Sequence, residues 1–202
     1  MIDNFTEEER KKIKEGIEDK YRKVSVTPKG NFRYPVGRKG LDTLGYDPEI
    51  LEKLPEEVLD TYCGVGNLFS TGTVLEGEKI LDIGCGAGVD SIIAALMTGP
   101  KGTVTGMDLS GEMIARAEQN RSKALIENVT FIKGSAEDLP FSGEIFSLVI
   151  SNGVFNLVPD KATAIWEVLR VLKPGGRFLM ADQVLVSERR TNRASFVAEW
   201  AG

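Results

Sequence analysis

A chain of 202 residues, 42% apolar and 27% charged, fits one globular domain with room for a proper core. Its net charge of −5, with basic residues scattered, argues against nucleic acid as a partner; no apolar run approaches the ~20 residues of a membrane helix, and the polar opening "MIDNFTEEERKK" lacks a secretory core, so the expected place is the cytoplasm. Two cysteines and no histidine argue against a disulfide framework or a zinc site; no metal is expected, and any general base must be something other than histidine.

The first third is helical and loop-like. In "TEEERKKIKEGIEDKY" the Thr6 to Glu9 spacing is that of a capping box, and Ile13, Ile17 and Tyr21 recur at helical intervals, which predicts a short amphipathic helix from near Glu7. "VTPKGNFRYPVGRKG" has no period and reads as a loop, with the composition of a mobile flap. Asp47 as N-cap and Pro48 at the first helical position predict a second short helix, ended by Pro55.

From Lys79 onward strands and helices alternate: strand 79–83, helix 88–97, strand 103–108, helix 111–125, strand 129–133, strand 145–151 and helix 160–172. In that last helix Ile165, Val168, Leu169 and Leu172 share one face, and Trp166 is read as packing. "LKPGG" makes a turn into a fifth strand, "RFLMADQVL", after which "TNRASFVAEW" leaves room for about one helix. This order predicts an α/β fold: a doubly wound, mainly parallel sheet with helices on both faces, which binds ligands beyond the carboxyl ends of its strands.

The glycines of "ILDIGCGAGVDS" sit at such an end. A phosphate-gripping loop would need a lysine directly after the last glycine, and the next lysine is Lys101; a dinucleotide fingerprint would need glycine at position 89 or 91, where the chain has Val89 and Ser91. What remains is G-x-G-x-G followed by an acid, Asp108, at the end of the second strand. Such an acid can accept both ribose hydroxyls of an adenosine. A loop without a phosphate clamp, joined to a ribose acid, suggests a nucleoside that carries no phosphates.

Five motifs in order resemble the class I S-adenosylmethionine-dependent methyltransferases, over roughly residues 42–182: "LDIGCGAG", "GMDLS", "GSAEDLPF", "ISNGVFNLVPDK" and "LKPGGRFLMAD". Within the class, "LGYDPEILEKLPEEV", "YCGVGN" and "SNGVFNLVPDK" look like the arsenite methyltransferase-like group. The resemblance implies a Rossmann-like cofactor domain over 76–202, with residues 1–75 as a helical and loop segment that covers the site. It also implies S-adenosylmethionine as cofactor and a small-molecule methyl acceptor.

The roles it implies are these. Gly84, Gly86 and Gly88 let the backbone approach the methionyl and ribose parts; Asp82 orients loop amides or meets the methionyl ammonium through water, its alternative being a buried acid that caps the loop. Asp108 holds the ribose. Leu109 and Ala136 flank the adenine, with Glu137 or the Ala136 amide taking its amino group. Tyr62, Cys63 and Gly64 cover the methionyl end, Tyr62 being equally readable as a core aromatic. Ser151, Asn152 and Asn156 lie at the mouth of the fourth strand on the acceptor side, Ser151 also within reach of the cofactor, while Asn156 is equally readable as a cap.

The acceptor stays open. Positioning carries most of the rate of an in-line methyl transfer, and a soft acceptor needs no strong base, which suits a chain without histidine. Arsenite calls for several thiolates, yet the chain has only Cys63 and Cys85, with Gly153 where the group's fourth-strand motif carries a cysteine. Alternatives are a C- or O-methyltransferase of the quinone-biosynthesis-like type and a non-catalytic binding domain. The class usually adds an antiparallel strand pair after strand five; its apparent loss predicts a shortened or truncated domain whose sheet edge is covered by the N-terminal segment or by a second chain, as in a homodimer.

Overall fold

The computed structural model describes residues 5–184. Five strands form one parallel sheet in the order β3-β2-β1-β4-β5, from β1 (Lys79–Ile83), β2 (Thr103–Asp108), β3 (Val129–Lys133), β4 (Phe146–Asn152) and β5 (Leu172–Ala181). The order reverses at β1, so a crevice opens between the carboxyl ends of β1 and β4. β1 is central and apolar on both faces: Ile80 packs with Val104, Leu148 and Ile150 on one side, Leu81 and Ile83 with Met107 and Val149 on the other.

α5 (Val89–Thr98) buries Ile92 and Ile93 on the first face, and α6 (Gly111–Ala124) adds Ala117 there. On the second face lies α7 (Lys161–Val171) with Ala164, Val168 and Val171. Helices thus cover both faces. The expected apolar stripe of α7 is corrected: Leu169 and Trp166 are exposed, Trp166 by 70%, because the stripe that meets the sheet runs along 164, 168 and 171.

Upstream, α1 (Glu7–Val26) starts at the capping box of Thr6 and Glu9 and runs for 20 residues, longer than a short helix. The segment read as loop, residues 26–40, gives way in its last four residues to α2 (Gly37–Leu44), which is closed by Gly45 in the left-handed region and anchored by buried Leu41. α3 (Pro48–Leu51) and α4 (Glu56–Leu59) follow, then a 3-10 turn (Leu68–Ser70). Buried Leu41, Tyr46, Leu51, Leu59 and Tyr62 join the first core, so this segment packs as part of the domain.

"LKPGG" belongs to β5, which begins where α7 ends. Leu172 pairs with Phe146 and Arg177 with Leu148, so residues 173–176 bulge out, with Gly175 at φ 76°. Among the described residues β5 pairs with β4 alone, and no helix is long and apolar enough to cross a membrane. The helix read at "TNRASFVAEW" lies outside the described residues.

Candidate functional site

Each glycine of the loop after β1 has a different reason. Gly84, Gly86 and Gly88 have φ of 72°, 53° and 81°, all in the left-handed region. The Gly84 and Cys85 amides donate to the Met107 carbonyl at 2.7 and 3.0 Å, which turns the loop over the end of β2. A β-carbon at Gly88 would stand 2.6 Å from the Phe131 ring and 3.0 Å from Ala117, so Gly88 serves helix–sheet packing and does not line the cavity. A β-carbon at Gly86 would meet nothing closer than Met113 at 3.7 Å; the space beside it belongs to the cavity.

That cavity encloses about 1040 Å³, its open mouth included. At one end Asp108 accepts the Gly86 amide at 2.9 Å through Oδ2 and the Ser110 amide at 2.9 Å through Oδ1. The carboxylate keeps acceptor capacity for a further donor. Burial raises the Asp108 pKa, and the amides of Ser110, Gly86 and Leu109 oppose the rise. Leu109, Gly134 and Ala136 continue this wall.

Glu137 also lines the cavity, but its carboxylate is engaged. Oε1 accepts from Arg10 at 3.2 Å and from the Asp160 amide at 3.1 Å, and Oε2 meets Lys14 at 2.9 Å. An adenine amino group would therefore meet an occupied Glu137, which leaves the Ala136 backbone as the open candidate. Lys14, Ile17 and Tyr21 of α1 face the cavity at three- and four-residue steps and close it from outside.

The other end holds two buried acids. Asp82 Oδ2 accepts from Ser91 Oγ at 2.5 Å, and burial, with neighbouring Asp90, pushes Asp82 up to about 8. Asp90, in the first turn of α5, accepts from Tyr46 Oη at 2.7 Å and Asn152 Nδ2 at 2.9 Å, and burial pushes it up to about 6. Tyr62, Cys63 and Gly64 also line the cavity, Gly64 packed against Tyr62 and Asn152 and Cys63 within reach of the charges of both Asp108 and Asp90. Burial pushes the Cys63 thiol up to about 12 and holds Cys85 above its ordinary value too, so both thiols of the cavity wall stay protonated at neutral pH.

The structure therefore brings together Tyr62, Gly64, Asp82, Gly84, Gly86, Asp108, Leu109, Ala136, Glu137 and Asn152. Ser151 is corrected: fully buried, it donates to the Ile83 carbonyl at 2.9 Å and ties β4 to β1, because its side chain points away from the crevice. Asn156 does not line the cavity either; its amide donates to Asp182 at 2.9 Å. Sequence reasoning missed Asp90, Lys14, Ile17 and Tyr21, though an acid in the first turn after a glycine loop was a visible signal for Asp90. Gly153, Val154, Leu157, Val158 and Pro159 form a mostly apolar wall past β4.

Residues 75–200 match the family model described as a methyltransferase domain. The chain is 40% identical over 145 residues to the arsenite methyltransferase of Halobacterium salinarum, covering 72% of this chain and 37% of that protein. It is 38% identical over 109 residues to the demethylmenaquinone methyltransferase of Listeria monocytogenes, 54% of this chain and 46% of the relative. A solved arsenic(III) S-adenosylmethionine methyltransferase from Chlamydomonas reinhardtii superimposes with a TM-score of 0.56 at 34% identity, over 74% of this chain and 50% of that one. The chain spans less than half the length of these curated relatives.

Proposed function

This chain belongs to the methyltransferase-domain family, and from that premise we propose that it is an S-adenosylmethionine-dependent methyltransferase acting on a small-molecule acceptor in the cytoplasm. The observation that carries the cofactor is the charge of the cavity wall. Among the described residues it holds Asp82, Asp90, Asp108 and Glu137, and its single cation, Lys14, is spent on Glu137. Glu137 is balanced by Arg10 and Lys14, and Asp82, pushed up to about 8, ionises readily only with a cation beside it. This wall therefore offers a phosphate no unpaired cation and suits a nucleoside that bears positive charge, which is what the sulfonium and ammonium of S-adenosylmethionine supply. Asp108 fits a ribose hydroxyl, for which its carboxylate keeps acceptor capacity.

The bound sulfonium would provide an activated methyl; the chain's own task is to hold donor and acceptor in line and to keep water out. Asp82 and Asp90 favour a cation beside them, and the cation in turn lowers the pKa that burial has raised. Ile17 and Tyr21 shield the cavity. The apolar wall of Val154, Leu157 and Val158 and the protonated state of both thiols favour a carbon or oxygen acceptor on an apolar small molecule over free arsenite. The arsenite reading rests on the relatives' names and on the shared motifs.

Calorimetry tests the cofactor. S-adenosylmethionine should bind and a nicotinamide dinucleotide should not, and Asp108→Ala should weaken binding by ~1.5 to 3 kcal/mol, as for a lost pair of charge-assisted hydrogen bonds. Unchanged affinity in that variant counts against the assignment. A mass-spectrometric screen of acceptors, with and without arsenite, then separates an enzyme from a binding domain.

A further inference from the structure

Asn152, the last residue of β4, is the junction of a buried polar cluster that joins the sheet to residues 46–66. Its Oδ1 accepts from the Val65 amide at 2.8 Å and the Gly66 amide at 3.2 Å. Its Nδ2 donates to the Gly66 carbonyl at 2.8 Å and to Asp90 Oδ2 at 2.9 Å, with Tyr62 Oη at 3.2 Å. The two backbone donors fix which end of the carboxamide is oxygen, so its amino end must face Asp90. Tyr46 Oη donates to the other Asp90 oxygen, and Tyr62 Oη lies 3.0 Å from both Tyr46 Oη and the Gly66 carbonyl.

This cluster carries the strip 63–66, whose Cys63 and Gly64 line the cavity together with Asp82 and Gly84. The strip has no slack: a β-carbon at Gly64 would stand 2.5 Å from both Asn152 Nδ2 and Tyr62 Oη. Asn152 spends both ends of its carboxamide on this clamp, which leaves no hydrogen-bonding atom for an acceptor.

We propose that Asn152, paired with Asp90, is a positioning residue that clamps the strip 63–66 over the methionyl end of the cavity, so that the cofactor is held tightly only while the clamp is closed. The proposal deepens the reading of this cavity as an S-adenosylmethionine site and rests on it. The groups that face Asp90 are Tyr46, Tyr62 and Asn152, with Asp82 and Cys63 close enough to feel its charge. None of them is a cation, so Asp90 depends on neutral donors, and replacing one donor by an acid must make the clamp pH-dependent.

Two variants test it. N152D keeps the acceptor for Val65 and Gly66 but sets a second carboxylate against Asp90, so the pair closes only while it retains a proton. The double variant N152D/D90N restores one donor facing one acceptor between positions 90 and 152 with the roles exchanged, while the Gly66 carbonyl still lacks the donor that Asn152 supplied. Amide hydrogen exchange at Val65 and Gly66 is measured without ligand, and S-adenosylmethionine affinity by calorimetry, each from pH ~5.5 to ~8.5. Relative to the natural chain, N152D should lose protection and affinity by ~10-fold or more as pH rises, and the double variant should lose that added pH dependence and recover part of both at high pH. Natural protection and an unaltered pH profile in N152D overturn the clamp, as does a folded double variant no better than N152D. Should the double variant fail to fold, N152D decides alone, since one protein is compared with itself at two pH values. If the natural chain does not bind S-adenosylmethionine at all, the cofactor reading fails and amide exchange still judges the clamp.

Discussion

Asp82 is placed where a carboxylate is costly. It is 1% exposed, accepts from the Ser91 hydroxyl, and its acid is pushed from 3.8 up to about 8. A folded-state pKa above the unfolded one means the native state binds the extra proton, so this contribution to stability is full below pH ~4 and is lost as pH rises toward 8. Asp82→Asn should therefore raise the unfolding free energy by about 1 kcal/mol or more at pH 8 and by much less at pH 5, one pKa unit being worth about 1.4 kcal/mol. Thermal melts at both pH values check the slope, and calorimetry should find weaker S-adenosylmethionine binding in the same variant. Gly153 poses the reverse case. Its φ is 72° and a β-carbon would lie 3.3 Å from Val65, so Gly153→Cys should cost ~1 to 2 kcal/mol in denaturant unfolding before any gain in arsenite affinity. The natural chain, whose Cys63 thiol is held up to about 12, should bind free arsenite weakly. Tight binding that survives Cys63→Ser would place the acceptor site elsewhere.

At the scale of elements, the glycine loop separates packing from binding. Gly88→Ala drives a methyl into the Phe131 ring and Ala117 and should lose ~2 to 4 kcal/mol of stability, from strain and overpacking together. Gly86→Ala meets no atom within 3.4 Å, so it should cost only the strain of its φ, ~1 kcal/mol, while S-adenosylmethionine affinity falls because the methyl fills cavity space. Denaturant curves beside calorimetry distinguish the two. α1 is the other element with a role of its own. Arg10 and Lys14 hold Glu137, Arg10 also meets Asp160 at 3.5 Å, Glu18 meets Lys133 at 3.3 Å, and Arg22 meets Glu112 at 3.4 Å. Exposed pairs are individually worth little, but Glu137 is only 13% exposed and anchors two of them beside the cavity. Glu137→Gln should speed cofactor dissociation several-fold in stopped-flow measurements, and the natural chain should show a similar effect at high salt. A rate indifferent to both would mean that α1 is held by Ile13 and Val24 alone.

For the molecule as a whole, periodicity settled most of the sheet. β1, β2 and β3 begin and end where the alternation of apolar runs put them, and the capping box of Thr6 and Glu9 started α1 where expected, because these signals are local hydrogen bonds and local side-chain patterns. The glycine loop and the place of Asp108 at the end of β2 were legible for the same reason: their geometry is fixed within a few residues or by the strand they end. What the sequence could not carry were contacts between distant segments. Nothing near Tyr46 announces that its hydroxyl meets Asp90, 44 positions on, and nothing near Glu137 announces Arg10, 127 positions back. Asn152 and Ser151 are neighbours with similar polarity, yet strand alternation sends one to the cavity wall and the other to the Ile83 carbonyl, so a motif that names both cannot say which faces the ligand. α7 errs in the same way, since its buried stripe is chosen by the sheet it lies on and not by which residues are most apolar. By itself the sequence determined the fold class and the places of the glycine loop and of Asp108 at its side, which depend on short-range geometry; only tertiary structure decided which polar groups are already spent on one another and which are left for a ligand, because that depends on where packing brings remote segments together.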